Sequence, residues 1–76
     1  MISIKELLNK IKWDKELNPK EYSLFLFDRV SSELKEIKYL DIAGIEDDFL
    51  VLKDETNIPL HRIKEVRRNN KLVWER

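Results

Sequence analysis

A chain of 76 residues without cysteine has room for one thin core and excludes disulfides and thiolate metal sites. Its net charge is zero and it has a single glycine, which argues against both a general polyanion-coating protein and a Gly-rich phosphate loop. No apolar run approaches the roughly 20 residues that cross a bilayer, and no signal-peptide pattern opens the chain, so no membrane partner is expected. The expectation is one domain over residues 1–76.

The spacing predicts a helix from Ile2 to Lys12. Ser3 is a suitable N-cap, Glu6 completes a capping box, and Ile2 with Leu7 forms a hydrophobic staple. Ile4, Leu7, Leu8 and Ile11 make one apolar stripe. Trp13, at the helix exit, is expected to act as a lid over the core. Asp14, Asn18 and Pro19 mark a connection.

Tyr22 to Val30 reads as a central strand. One face carries Tyr22, Leu24, Leu26 and Asp28, and the other Ser23, Phe25, Phe27 and Arg29. Ser31-Ser32 turns the chain. Glu33 to Ile42 is taken as a further strand, interrupted after it by Ala43-Gly44. Glu46-Asp47-Asp48 is an exposed acidic turn that lacks the alternating ligands of a calcium loop, so no metal is expected.

Phe49 to Leu52 is expected to be a short buried strand. Pro59 places its segment at an edge or a strand start. The spacing of Leu60, Ile63 and Val66 implies a tight turn at His61-Arg62 before a strand from Ile63 to Arg68. Asn69-Asn70 is a two-residue hairpin turn, after which Lys71 to Glu75 returns with Leu72 and Trp74 on one face. The expected fold is α+β, with the N-terminal helix packed on a bent antiparallel sheet of four or five strands. A partly closed barrel is a variant of it.

Charge is unevenly spread. Residues 28–57 carry four basic and nine acidic side chains, whereas 61–76 carry six basic and two acidic. Two readings are open: ordinary solvated surface charge, with His61 a turn residue and Trp74 in the core, or a basic C-terminal edge that faces an anion. Arg29 ends the central strand, His61 and Arg62 follow a rigid proline, and Arg67, Arg68, Lys71 and Arg76 populate the last hairpin. Guanidinium forks match phosphate oxygens, and histidine donates or titrates near neutrality. Trp13, Tyr22 or Trp74 is a candidate stacking face. No nucleophile motif surrounds any serine, and His61 has no carboxylate partners at metal-ligand spacing; no cofactor is expected.

The string Ile58-Pro59-Leu60-His61-Arg62-Ile63, with Val73-Trp74-Glu75-Arg76, resembles the C-terminal part of the RNA cyclic-group end recognition domain, a small archaeal family. Leu7 to Asp14, Asn18-Pro19 and Asp28-Arg29 resemble it too, so the likeness spans essentially the whole chain. It implies recognition of RNA termini bearing a cyclic phosphate, association with RNA-end-processing proteins and a cytoplasmic location. The family's polar motif positions fall on Arg29, His61, Arg62 and Arg76. A departure is Asp28, which precedes Arg29 in place of a further basic or histidine residue and offsets the charge of that corner.

The leading expectation is thus an RNA-binding module with no catalytic residue. One alternative is a phosphoesterase acting on cyclic-phosphate RNA ends, with His61 as acid or base. The other is a protein-interaction module with a basic edge.

Overall fold

The computed structural model describes residues 2–76. Its helix α1 (Ile4–Trp13) starts where the sequence cap demands: the Ser3 hydroxyl accepts the Glu6 amide at 3.2 Å. Ile4, Leu7, Leu8 and Ile11 are all buried, as the stripe requires. Trp13 is not a lid. It is 74% exposed, with the Lys12 ammonium 5.3 Å from its ring centre. At about 100° per residue, position 13 lies roughly 180° around the helix from position 4, on the side away from the core. Treating Trp13 as the helix exit, rather than its last residue, concealed this.

Seven strands are present among the described residues: β1 (Tyr22–Asp28), β2 (Glu33–Lys38), β3 (Ile42–Glu46), β4 (Phe49–Leu52), β5 (Asn57–Pro59), β6 (Ile63–Arg68) and β7 (Lys71–Glu75). They form two antiparallel sheets, one ordered β2-β1-β6-β7 and the other β3-β4-β5. The architecture is α+β, β1 is central in the larger sheet, and the ladders do not close a barrel. The expected single strand from Glu33 to Ile42 is divided. A 3₁₀ turn, Tyr39–Asp41, ends β2 and delivers the chain to the second sheet. Ala43 and Gly44 lie inside β3, where a bulge between Ile42 and Gly44 absorbs the irregularity.

A second 3₁₀ turn, Leu60–Arg62, carries the chain back from β5 to β6, at the position where the spacing after Pro59 implied a tight turn. The β6–β7 hairpin turns on Asn69 (φ 51°) and Asn70 (φ 68°), the left-handed pair that a two-residue turn needs. Leu72 and Trp74 do not share a face. A bulge pairs Val66 with Trp74 but Arg67 with Leu72, so Trp74 faces the core and Leu72 the outer surface. Phe49 is likewise exposed, and Leu50 is the fully buried member of β4.

The core joins the α1 stripe to Tyr22, Leu24, Ile63, Val66 and Trp74 of the larger sheet and to Leu50 and Ile58 of the smaller. Leu60, in the turn between them, is buried with these. Each buried aliphatic side chain stabilises the fold by roughly 1.5–3 kcal/mol. Two polar groups anchor α1: the Tyr39 hydroxyl donates to the Leu8 carbonyl at 3.1 Å, and Trp74 Nε1 to the Ile2 carbonyl at 2.9 Å. Burial pushes the Tyr39 pKa up. No helix among the described residues is long and apolar enough to cross a membrane.

Candidate functional site

Antiparallel pairing of β1 with β6 builds the site. The last paired residues are Leu26 and Ile63, so the C-terminal end of β1 lies beside the N-terminal end of β6. Arg29 is thereby brought to the Leu60–Arg62 turn. A bulge between Phe25 and Leu26 leaves Lys64 without a partner on β1, and Lys64 joins the same place. The result is a cleft of about 360 Å³ lined by Phe27, Arg29, His61, Arg62 and Lys64. A second cleft of about 280 Å³ shares Phe27, Arg29 and Arg62 with it and adds Leu26, Asp28, Val30 and Lys35.

The first cleft is electrostatically one-sided. Among the described residues no carboxylate lines it, and Arg29, Arg62 and Lys64 make no ion pair. The acidic residue expected to spoil this corner, Asp28, is engaged elsewhere. It meets the Lys35 ammonium at 2.8 Å and accepts the Val30 amide at 3.0 Å, and these hold its carboxyl below the usual carboxylate range. The same contact raises the Lys35 pKa.

The other basic residues of the C-terminal part have different employment. Arg67 is bonded to both Glu65 carboxylate oxygens, at 3.0 and 3.1 Å, and lies 4.5 Å above the Phe25 ring. Arg68 Nε is paired with Glu21 at 2.6 Å. Arg76, expected to contact phosphate, instead donates Nε to the Ile63 carbonyl and Nη2 to the Leu60 carbonyl, both at 3.1 Å. It clamps the two ends of the turn that presents His61 and Arg62. The Leu60 amide, bonded to the Asp48 carbonyl at 2.9 Å, ties the turn down from the other side. A third hollow, lined by Ser3, Ile4, Lys5, Asp48, Leu60, His61 and Arg76, meets the basic cleft only at His61.

Of the site residues expected from sequence, the structure thus brings together Arg29, His61 and Arg62 and sets Arg76 behind them. Two of the candidate stacking rings are buried, Tyr22 at 5% and Trp74 at 8% exposure, and Trp13 lines none of these hollows. The open ring in the cleft is Phe27, 41% exposed. Its signal lay in the strand alternation, because Phe27 and Arg29 are two apart and α1 covers only the opposite face. Lys64 was hidden by the bulge, which simple alternation does not contain. The hollow between α1 and β3–β4, lined by residues including Leu8, Asn9, Lys12, Tyr39 and Leu50, mixes polar and apolar groups and holds Lys12 as its one charged side chain among the described residues.

The chain is 34% identical over 80 residues to a UPF0248 protein of Saccharolobus islandicus, covering 99% of this chain and all of that one. It is 33% identical over 75 residues to a UPF0248 protein of Metallosphaera sedula, covering 99% and 94%. The identity to a UPF0248 protein of Saccharolobus solfataricus is 34% over 79 residues, covering 99% and 98%. No solved structure matches the chain significantly. The family model described as "MJ1316 RNA cyclic group end recognition domain" matches residues 1–76, and the chain belongs to that family.

Proposed function

We propose that this protein binds RNA termini that carry a phosphate, with the 2′,3′-cyclic phosphate as the preferred end. The supporting observation is the cleft in which Arg29, His61, Arg62 and Lys64 converge beside an open Phe27 ring with no lining carboxylate among the described residues. Arg29 and Arg62 present forked donors to the non-bridging phosphate oxygens. Lys64 adds a point charge, and His61 donates a hydrogen bond to the ester side of the ring. The family description supports the choice of a cyclic group. Binding is favoured over cyclic-ester hydrolysis because Asp28, the nearby carboxylate, is already held by Lys35 and the Val30 amide. Opening the ring needs a second proton carrier beside His61.

Fluorescence titration of short RNAs ending in a cyclic phosphate, a 3′-phosphate or a hydroxyl tests this reading. The cyclic end should bind best and the hydroxyl end worst, with affinity falling as salt rises. Equal, salt-insensitive binding to all three would overturn it. His61-dependent consumption of the cyclic end in the same samples would replace binding with the phosphoesterase reading.

A further inference from the structure

Over the outer face of the larger sheet the basic cleft ends abruptly. Phe27 is open, but Phe25, next along the same face of β1, is covered by the Arg67 guanidinium 4.5 Å above its ring. Phe25 is also flanked by Glu36 on β2 and Glu65 on β6. Glu75 lies beyond on β7, paired with Glu65. The basic residues on this outer face are Lys38 and Arg67, and Arg67 is already neutralised by Glu65. A polyanion leaving the cleft over the sheet therefore meets more carboxylates than free cations. Lys38 is the one unpaired cation among the described residues that it meets there, so it gains little counterion release, and no open aromatic ring lies beyond Phe27 on that strand.

Resting on the reading of the cleft as an RNA-terminus site, we propose that its footprint is a single nucleotide. Phe27 stacks the terminal base, Arg29, His61, Arg62 and Lys64 hold its phosphate, and the preceding nucleotides remain in solvent. A phenylalanine face tolerates any base, since it reads no hydrogen-bonding edge. The ligand class is thus a nucleoside 2′,3′-cyclic phosphate at the end of an RNA of any sequence, with the terminal base unpaired so that it can reach the ring.

Competition titrations with uridine 2′,3′-cyclic phosphate, and with a dinucleotide, tetranucleotide and octanucleotide ending in that same group, test the footprint. All four should bind within about threefold of one another, and the salt slope should stay constant, because each further phosphate contact would add about 0.7 to it. Affinity that climbs steadily with length, together with the salt slope, would overturn the single-nucleotide footprint while leaving end recognition standing. Failure of every cyclic-ended ligand to bind would instead overturn the RNA-terminus reading itself. Phe27→Ala should weaken all four by roughly tenfold, and Phe27→Tyr should restore most of it. Phe27→Ala with unchanged affinity would remove the stacking role. Circular dichroism melts of both variants verify that this half-exposed position leaves the fold intact.

Discussion

At the scale of single residues, the basic side chains divide by what they already touch. His61 is exposed and donates to no group of the protein among the described residues, whereas Arg76 holds the carbonyls of Leu60 and Ile63. His61→Ala should leave stability within about 0.5 kcal/mol of the parent in denaturant melts while weakening binding of the cyclic end. Arg76→Ala should cost about 1–2 kcal/mol, because two charge-assisted hydrogen bonds are lost at a partly buried site. Arg76→Lys should not restore it, since an ammonium cannot span two carbonyls as the fork does. Equal stability of Arg76→Ala and the parent would make Arg76 a candidate ligand contact again. Sequence alone could not draw this division. It grouped the arginines by position, and only the partners of each, Glu65 for Arg67 or two carbonyls for Arg76, separate a structural cation from an available one.

At the scale of elements, legibility tracked the presence of a side-chain signal. The start of α1 was readable because Ser3 makes its capping bond, and the Asn18-Pro19 connection because Asn18 accepts the Lys20 amide at 3.0 Å. The Tyr39–Asp41 turn was not, since the residue before it, Lys38, makes no capping bond. Its conformation is imposed by packing, with Tyr39 reaching back to the Leu8 carbonyl. The turn at Leu60–Arg62 also has no side-chain cap, yet Pro59 and the spacing of Leu60, Ile63 and Val66 betrayed it. Register is similarly hidden wherever a bulge intervenes, as at Lys64 and Val73. The two tryptophans offer a contrast at this scale. Trp74→Ala should cost about 3 kcal/mol or more by vacating core volume. Trp13→Ala should stay within about 0.5 kcal/mol, because the ring faces solvent. Comparable losses in chemical denaturation would contradict the packing of α1 on the larger sheet.

At the scale of the whole molecule, zero net charge conceals a local field. The acidic middle of the chain places Glu46, Asp47 and Asp48 on β3 and its turn, whereas Arg29, Arg62 and Lys64, three cations without an ion pair among the described residues, gather where β1 ends and β6 begins. Long-range attraction of polyanions is therefore weak, and on the proposed reading affinity comes from contacts inside the cleft. This is the opposite arrangement to a uniformly basic coat, and it suits a protein that discriminates one chemical end from a long chain of like-charged phosphates.

The Leu60–Arg62 turn has a dynamic consequence. Among the described residues the chain passes between its two sheets only there and at Tyr39–Asp41, so the turn that offers His61 and Arg62 is also one of two covalent straps joining them. An occupant of the cleft bridges the strap to Arg29 on the far side. It should slow amide hydrogen exchange at Leu60, beside His61, and through the three-residue strand β5, none of whose residues lines either cleft. At a ligand concentration about a hundredfold above Kd, linkage makes this worth about 2.7 kcal/mol of global stability. Hydrogen–deuterium exchange with and without the cyclic nucleotide should show protection spreading into the smaller sheet. Protection confined to residues 27–29 and 61–64 would mean that the ligand leaves the strap as loose as it found it.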